Sequence, residues 1–307
     1  MKNLIVLTVL TFITTLILCG CRKPTSPIVT PQPLLYDLPT IVAHRGARSV
    51  APENTLLSAE RAYDFKADQW ELDVQESKDG ELVLIHDPHF RRTSNAEQVF
   101  PMRFFWKVKN FTLEEIKQLD AGSWYLKKDP FGEIKNGTVT TAEQERMVNE
   151  PFPTLREALQ FTKDKEWSVN IEIKDVSGTP GDAEIVQKTV ALIEEMGMQD
   201  HVIISSFNLD YLVQVKQINP ELKTAALVKK MDDALKLLQD IGADAINPSY
   251  DSIKDMSIIQ TLRDAGYDVY VWTVNDEAAM ITLINAGVSG IITDYPQKLA
   301  EVLEKYH

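Results

Sequence analysis

From Thr40 onward, short β-branched and apolar runs alternate with amphipathic segments, and no other feature of the sequence constrains the fold as strongly. The predicted strands are 41–45, 69–75, 82–86, 168–174, 201–207, 224–228, 244–249, 268–274 and 290–294. The predicted helices between them include 55–67, 182–197, 209–218, 231–241, 254–265 and 276–286. Repeated strand–helix units indicate a parallel sheet or barrel. The chain after residue 39 has the size of a (β/α)8 TIM barrel, typically about 250 residues. We therefore predict an α/β fold of that class.

Nine predicted strands are one more than such a barrel holds, and the linker between the second and third strands explains the excess. This linker, ESKDGE, has only six residues. A parallel crossover needs about a dozen residues, so these two strands are expected to form an antiparallel hairpin. Asp79-Gly80 is a two-residue turn signal, and a turn centred there places His86 opposite Asp73. We predict eight barrel strands, with the third strand as the returning arm of a hairpin at the barrel mouth.

Residues 88–153 are predicted to be an insertion after this hairpin. They combine turn signals and polar sequence with one helix candidate, 112–119. Structureless loops of this length are uncommon in a barrel and are usually functional. Within the insertion, FPMRFFWKVKNF at 100–111 is aromatic and basic. We favour its interpretation as a small satellite core with a solvated basic face; the alternative is a contact with substrate or with a membrane surface.

The net charge of −13 restricts the partners that this chain can have. Non-specific nucleic-acid binding rests on clustered lysine and arginine, so a chain this acidic is not expected to bind nucleic acid. An anionic substrate would need a local positive field instead. A metal ion or a few aimed cationic side chains could provide that field.

The first twenty residues have the pattern of an export signal. Lys2 supplies a positive start, residues 4–18 are apolar, and LCGC follows. The apolar run is shorter than the roughly 20 residues of a membrane-spanning helix. LCGC resembles a bacterial lipobox in which Cys21 carries the lipid, and Cys19 fits less well because a bulky leucine precedes it. A secretory signal cut elsewhere and an uncleaved anchor are the alternatives.

Residues 21–39 are expected to be an extended tether, because five prolines occur between positions 22 and 39. At about 3 Å per residue the tether would reach some 50 Å. Lipidation of Cys21 after removal of the signal would leave no thiol for a disulfide, because the chain has only two cysteines. This organisation predicts a signal peptide at 1–20, a tether at 21–39 and one barrel domain at 40–307. The expected location is a bacterial cell envelope, with a lipid anchor and the domain facing the periplasm or the outer surface.

Three acidic residues fall on the inward face of two predicted strands. Glu71, Asp73 and Glu172 alternate with apolar residues that must face the outer helices. Unpaired buried carboxylates cost several kcal/mol each, so the three acids require a cation. An ion-pair network with Lys174 and Arg45 could neutralise two of them and would leave one over. A divalent cation, Ca²⁺ or Mg²⁺, satisfies all three because these ions prefer carboxylate oxygens.

Two histidines accompany these acids at strand ends. A neutral and a protonated imidazole form a general base and a general acid near neutral pH, which is the role predicted for His44 and His86. Arg45 offers a planar, permanently charged group for phosphate oxygens. It would act from the end of its strand, where the chain turns at Gly46. The sequence does not assign acid and base between the two histidines.

Six motifs place the chain beside a known family. AHRG…PENT, WELDVQ…DG…VLIHD, IEIK, SSF, VWTVN and GIITDYP occur in the order seen in glycerophosphodiester phosphodiesterases, and the resemblance covers about residues 43–296. The insertion and FRRTSN at 90–95 depart from the family pattern, which affects substrate preference. The resemblance implies catalysis by His44 and His86, metal binding by Glu71, Asp73 and Glu172, and substrate binding by Arg45, Lys174, Trp272, Glu53 and Asn54. Asn54 is also expected to be the N-cap of the helix predicted at 55–67.

The expected activity is metal-dependent hydrolysis of a glycerophosphodiester to glycerol 3-phosphate and an alcohol. One divalent cation, Ca²⁺ or Mg²⁺, would be the cofactor. The first alternative is a lipid phosphodiesterase similar to lysophospholipase D or phosphoinositide phospholipase C. The second is a surface lipoprotein that binds such ligands without turnover.

Overall fold

The structure, a computed structural model, describes residues 36–306. Within this range nine strands form one sheet: β1 (Thr40–Ala43), β2 (Gln69–Glu76), β3 (Leu82–Leu84), β4 (Ser168–Ile173), β5 (Val202–Ser206), β6 (Lys223–Val228), β7 (Ala245–Pro248), β8 (Asp268–Val271) and β9 (Gly290–Thr293). Eight of them close into a parallel barrel in the order β1-β2-β4-β5-β6-β7-β8-β9, with β9 pairing back to β1. β3 lies outside this ring, antiparallel to β2. The predicted TIM barrel with a hairpin after its second strand is confirmed.

Helices connect the strands and cover the barrel. They are α1 (Leu56–Asp64), α2 (Ala96–Val99), α3 (Leu113–Ile116), α4 (Ser123–Lys128), α5 (Thr141–Arg146), α6 (Leu155–Asp164), α7 (Ile185–Met196), α8 (Leu209–Ile218), α9 (Ala234–Ile241), α10 (Ser257–Asp264), α11 (Glu277–Ala286) and α12 (Pro296–Leu303). The sequence indicated one helix in the insertion, whereas α2 to α5 all lie there. It also did not predict α6, which begins at a reciprocal cap between Thr154 and Glu157.

The two faces of the barrel strands have different chemistry. On β2 and β4 the outward residues are apolar and pack in the main core, among them Trp70, Leu72, Ile171 and Ile173. The inward residues of the same strands are polar, as the alternation predicted. Most of the small apolar cluster inside the barrel comes from other strands: Val42, Ile203, Ala225, Ala245, Tyr270, Trp272 and Ile292. The barrel interior is therefore apolar on one side and acidic on the other.

The hairpin has a different register from the predicted one. The Ile85 N–H donates to the Asp73 carbonyl oxygen at 3.0 Å, so Ile85 and not His86 lies opposite Asp73. The cause is the turn, since a backbone hydrogen bond closes residues 77–81 around a three-residue loop instead of a two-residue one. Gly80 ends that loop at φ 85°, the left-handed position that such loops favour.

The expected N-cap of α1 is also corrected. The cap is Thr55, whose side-chain oxygen accepts from the Ser58 N–H. Asn54 has φ 57°, and its side chain binds Asp73 instead. Its amide nitrogen donates to Asp73 Oδ2 at 2.8 Å, and its amide oxygen accepts from the Asp73 N–H at 3.0 Å. This residue therefore positions a carboxylate and leaves capping to its neighbour.

The insertion builds a satellite core against the hairpin, which confirms the favoured interpretation for the buried part of its aromatic segment, whereas Met102, Phe104 and Phe105 are exposed. Phe90 packs edge-on against Phe111 and Phe152, with ring centroids 5.3 and 5.1 Å apart. Val83 and Ile85 of the hairpin arm belong to the same cluster. Buried aromatic pairs of this geometry stabilise a core beyond their area alone. The insertion is thus a folded unit attached to the wall near β2 and β3.

The chain enters the barrel at its amino-terminal end. The Tyr36 hydroxyl donates to Asp264 Oδ1 at 2.6 Å, and Asp264 ends α10 on the side where the strands begin. Arg263 lies over the Tyr36 ring at 5.3 Å. The first described residue is therefore fixed at the opposite end from the carboxyl ends of the strands.

The predicted signal peptide at 1–20, Cys21 and residues 22–35 of the tether lie outside the described residues. Among the residues that are described, no helix has the length and apolar character needed to cross a bilayer.

Candidate active site

Three buried carboxylates meet at the carboxyl ends of β2 and β4. Glu71 and Asp73 are two residues apart on β2 and so share its inward face. Glu172 on β4 is the direct ladder partner of Asp73. One oxygen atom from each of the three lies within 4.8 Å of the others. The structure therefore brings the three predicted metal ligands together.

Two cations contact this cluster without neutralising all of it. Lys174 Nζ bonds Glu172 and lies 3.2 Å from Asp73 Oδ1, and Arg45 Nε lies 3.2 Å from Asp73 Oδ2. From the part of the chain that the structure describes, Glu71 accepts one hydrogen bond, from the backbone N–H of Arg45 at 2.8 Å. Among the described residues no cationic side chain forms an ion pair with Glu71. The ion-pair network predicted as the alternative is present, and it leaves one acid over.

The pKa values within the cluster diverge because the two cations are not shared equally among the three acids. Burial, together with the charges of Asp73 and Glu172, raises the pKa of Glu71 well above its usual 4.5. Burial opposes ionisation of Asp73 too, but Lys174 and Arg45 outweigh it and lower the pKa of that carboxyl. Burial and the charge of Asp73 raise the pKa of Glu172. The cluster lacks positive charge at Glu71.

The donor set fits the divalent cation that the family resemblance implies. Within residues 36–306 the buried Asp73 Oδ1 accepts no hydrogen bond, although Lys174 Nζ lies 3.2 Å from it. Glu71 is buried and has no cationic partner in the same range, so its carboxylate has unused capacity to bind a cation. Three carboxylates supply the hard oxygen donors that Ca²⁺ and Mg²⁺ prefer.

His44 lies at the end of β1 and is oriented by a carboxylate from the other end of the chain. Its Nδ1 lies 2.7 Å from Oδ1 of Asp294, which follows β9. Asn275 donates to the second oxygen of Asp294 at 2.7 Å. Burial and the charge of Arg45 lower the pKa of His44, despite Asp294. With Nδ1 engaged, a neutral His44 has Nε2 available to accept a proton.

His86 has a similar partner close in sequence. Its Nδ1 lies 2.8 Å from Asp87 Oδ1, and Arg92 Nε donates to Asp87 Oδ2 at 2.7 Å. The Gln75 amide donates to the carbonyl oxygens of three consecutive residues, Ile85, His86 and Asp87. These bonds fix the loop that follows β3. His86 is partly exposed, which suits a group that meets solvent or a leaving alcohol.

Glu53 links the surroundings of the two histidines. Its carboxylate pairs with Arg48 at 3.1 Å, which also lies 3.5 Å from Asp294, and with Arg92, the partner of Asp87. It also accepts from Arg45 Nη1 at 2.9 Å. Burial alone would raise the pKa of Glu53, but Arg92, Arg45 and Arg48 lower it to about 2. One carboxylate thus orients three arginines around the site.

The turn after His44 brings the backbone close to α1. Arg45 and Gly46 both have positive φ, 54° and 80°. A Cβ at Gly46 would lie 2.4 Å from Ser58 Oγ, and that hydroxyl donates to the Arg45 carbonyl oxygen. This close approach requires glycine and fixes the direction of the Arg45 side chain.

An open cavity of about 460 Å³ lies at this end of the barrel. Its lining residues are His44, Arg45, Glu71, His86, Asn170, Glu172, Ser205, Phe207, Leu227, Asn247, Trp272, Thr273 and Ile292. The Trp272 ring nitrogen donates to the Asn247 carbonyl oxygen, and Phe207 meets the ring edge-on at 5.5 Å. Glu53, Asn54 and Lys174, predicted to bind substrate, are not among these lining residues. Glu53 binds Arg45 instead, and Asn54 and Lys174 contact Asp73.

Several functional neighbours were not assigned from sequence, namely Asp87, Asp294, Asn275, Arg48 and Arg92. Asp294 and Asn275 lie within motifs already noted, GIITDYP and VWTVN, and polar residues at barrel strand ends are the signal that could have found them. Asp87 directly follows His86. Arg92 lies in FRRTSN, the stretch that departs from the family pattern.

Sequence comparison relates the chain to one enzyme family. The chain matches the glycerophosphoryl diester phosphodiesterase family over residues 44–298. A glycerophosphodiester phosphodiesterase of Caldanaerobacter subterraneus is 38% identical over 270 residues, which cover 86% of this chain and 98% of the relative. A Bacillus subtilis glycerophosphodiester phosphodiesterase is 35% identical over 276 residues, which cover 86% of each chain.

Two solved phosphodiesterase structures are similar to this chain in fold. An Oleispira antarctica phosphodiesterase in complex with the product sn-glycerol-3-phosphate is 28% identical with a TM-score of 0.70, over 87% of this chain and 97% of that one. An Agrobacterium tumefaciens glycerophosphodiester phosphodiesterase is 28% identical with a TM-score of 0.68, over 86% of this chain and 100% of that one. The chain therefore belongs to the glycerophosphoryl diester phosphodiesterase family and is an enzyme of the phosphoric diester hydrolase class.

Proposed function

We propose that the enzyme hydrolyses glycerophosphodiesters to glycerol 3-phosphate and an alcohol, with one divalent cation and two catalytic histidines. The observation that carries this proposal is the convergence of His44, His86, Glu71 and Glu172 on one cavity. The bound product of the Oleispira relative, sn-glycerol-3-phosphate, supports the choice of substrate class.

Glu71, Asp73 and Glu172 would hold the cation, Ca²⁺ or Mg²⁺. When bound, it supplies Lewis-acid stabilisation of the charge that develops on the phosphoryl group. Arg45 and Lys174 provide two further positive charges for the phosphate oxygens. Arg45 is suited to bind two oxygens at once, and Glu53 keeps it oriented. The Trp272 and Phe207 rings form the apolar side of the cavity.

His44 is the group that we assign as general base. Its Nδ1 is engaged by Asp294 and its pKa is lowered by burial, so Nε2 of the neutral ring can accept a proton from the nucleophile. The nucleophile is water, which gives glycerol 3-phosphate directly, or the neighbouring glycerol hydroxyl, which gives a cyclic phosphate that water then opens to glycerol 3-phosphate. His86 then protonates the leaving alkoxide, and Asp87 orients its ring through the contact at Nδ1.

Hydrolysis of glycerophosphocholine by the full chain tests this proposal. We expect EDTA to abolish turnover and addition of Ca²⁺ or Mg²⁺ to restore it, with glycerol 3-phosphate and choline as products. Turnover that persists in EDTA would contradict the metal role. Release of phosphocholine in place of choline would contradict the predicted cleavage position.

We also propose that the chain is a bacterial envelope lipoprotein, with a signal at 1–20, a lipid on Cys21, a tether at 21–39 and the catalytic domain at 40–307. The lipobox-like LCGC sequence supports this organisation. The intact mass of membrane-extracted protein would then equal a chain that begins at a diacylated Cys21. Recovery of the unmodified chain in the soluble fraction would contradict it.

A lipid phosphodiesterase is the second candidate, because the aromatic side chains of Phe104 and Phe105 in the insertion are exposed. A comparison of soluble glycerophosphodiesters with lysophospholipid micelles separates the two substrates. A higher kcat/KM on micelles would favour the lipid. A non-catalytic ligand-binding lipoprotein, the remaining sequence-based alternative, would not need both histidines.

A further inference from the structure

The insertion presents its most exposed large apolar side chains together in one turn. Met102, Phe104 and Phe105 are 84%, 79% and 74% exposed, and we call these three residues the aromatic tip. The next most exposed large hydrophobic residue of the described chain is Val148, at 49%. Clustered exposure of this kind marks an interaction surface, whereas single exposed apolar residues are ordinary.

The base of the aromatic tip is fixed, so its exposure belongs to the fold. The Trp106 ring nitrogen donates to the Phe100 carbonyl oxygen at 3.0 Å. Arg103 pairs with Glu115 and lies over the Phe111 ring at 4.5 Å. Phe105 and Trp106 have φ values of 68° and 39°, which side-chain-bearing residues rarely adopt. The turn holds apolar side chains outward at the expense of backbone strain.

The aromatic tip lies in a basic segment of a protein that is otherwise acidic. Residues 100–111 contain three basic residues and no acidic one, although the net charge of the chain is −13. Glu115 neutralises Arg103. Lys107 is exposed and Lys109 partly so, and neither forms an ion pair within residues 36–306. Exposed aromatic residues beside unpaired lysines match the chemistry of an anionic bilayer surface.

The aromatic tip lies on the rim of the catalytic end. Lys107 forms an antiparallel bridge with His89, and the Val108 N–H donates to the Pro88 carbonyl oxygen at 3.1 Å. These contacts fix the turn beside the loop that carries His86. We propose that the aromatic tip inserts into an anionic lipid surface and thereby turns the cavity mouth toward the membrane. This proposal does not depend on which phosphodiester the enzyme cleaves.

A second copy of the chain is a weaker candidate for the partner. Aromatic side chains bury about 150–250 Å² each, so three side chains cover less than the roughly 800 Å² per partner of a stable protein interface. A bilayer needs no such area, because a few aromatic residues and lysines are enough to orient a protein at its surface.

Tryptophan quenching by brominated lipid tests the proposal on the full chain. The Phe104→Trp variant would be reconstituted into vesicles of phosphatidylglycerol and dibrominated phosphatidylcholine. The wild type, measured in the same vesicles, gives the quenching of the five native tryptophans, which is subtracted. The matched control is Ile218→Trp. Ile218 is 46% exposed and ends α8, so it lies at the amino-terminal end of the barrel.

We expect the quenching in excess of the wild type to be at least threefold greater for Phe104→Trp than for Ile218→Trp. Replacement of Lys107 and Lys109 by glutamine should reduce the Phe104→Trp quenching. Equal quenching at both positions would overturn the proposal. A blue-shifted Phe104→Trp emission in detergent-free buffer without vesicles would overturn it as well. That shift would identify a second copy if it depends on concentration, and the chain's own amino-terminal segment if it does not.

Discussion

His44 and Asp294 are 250 residues apart in sequence, yet the His44 Nδ1 and Asp294 Oδ1 atoms lie 2.7 Å from each other. Closure of the barrel creates this contact, because β1 pairs with β9 and Ala43 is the ladder partner of Thr293. The two residues that follow those partners therefore meet at the rim. A carboxylate at this position favours the ring tautomer that carries its proton on Nδ1 and leaves Nε2 unprotonated.

Asp294→Asn should lower kcat because an asparagine amide can hold His44 in the wrong tautomer. We expect a loss of up to roughly 10²–10⁴-fold, the full contribution of a general base. In the double variant with His44→Ala, the Asp294 change should cost almost nothing more, since the two residues act as a unit. Steady-state kinetics of the single and double variants measure this. Additive losses would show that Asp294 acts independently of His44.

His86→Ala should reduce kcat by roughly 10²–10⁴-fold while leaving the fold intact, because His86 is partly exposed and is assigned proton transfer. His201→Ala is the matched control, since His201 is exposed just before β5 at the other end of the barrel. Product release from glycerophosphocholine is the measurement. Retained turnover in His86→Ala would remove this residue from the mechanism.

Glu71→Gln should abolish the response to the cation. Binding to the folded state alone stabilises the wild type by about 2.7 kcal/mol at 100 times the dissociation constant. We expect Ca²⁺ or Mg²⁺ to raise the Tm of the wild type but not that of Glu71→Gln. The control is Glu76→Gln on the same strand, where the carboxylate pairs with Lys188 outside the cluster. A Tm increase in Glu71→Gln as large as in the wild type would exclude Glu71 as a ligand.

Glu53 should make the stability depend on pH in the acid range. Its pKa is lowered from 4.5 to about 2, so the unfolded state binds more protons between these values. The contribution of Glu53, about 3 kcal/mol, is present above pH 4.5 and is lost as the pH falls toward 2.

Urea denaturation at several pH values measures this effect, with Glu53→Gln compared to the wild type. The difference in unfolding free energy should be largest near neutral pH and should shrink toward pH 2. Glu114→Gln, on an exposed position of α3, should show no such trend. A constant difference between wild type and Glu53→Gln at all pH values would disprove the assignment.

Gly46→Ala should destabilise the protein and lower turnover, because the added Cβ would lie 2.4 Å from Ser58 Oγ at a φ of 80°. Gly197→Ala isolates the backbone cost, since its φ is 64° and no atom lies within 4 Å of the added Cβ. We expect about 1 kcal/mol for Gly197→Ala and more than about 3 kcal/mol for Gly46→Ala. If thermal denaturation showed the same loss of unfolding free energy in both variants, the close approach of Gly46 to α1 would be unimportant.

The sequence predicted the strands of the barrel and the inward carboxylates, because both follow from a period of two residues. It placed the hairpin one residue out of register, since Asp79-Gly80 fits both a two-residue turn and a three-residue loop. It missed α6, although Thr154 and Glu157 have the spacing of a capping box. It named Asn54 as the N-cap of α1, whereas Thr55 caps the helix because the Asn54 side chain is bonded to Asp73.

The partners of the histidines were harder to predict. Asp294 meets His44 only through ring closure, and Arg92 reaches Glu53 across 39 residues of chain. Neither contact has a local sequence period that would reveal it. Arg92 also lies in a stretch that departs from the family pattern, so the resemblance implied no role for it.

Tyr36 is fixed beside Asp264, on the far side of the molecule from the cavity. A pulling force or a change of length upstream of this attachment point would act on the end of α10 rather than on the reacting groups. Exchange of the residues upstream of Tyr36 should therefore leave the chemistry at the cavity unchanged.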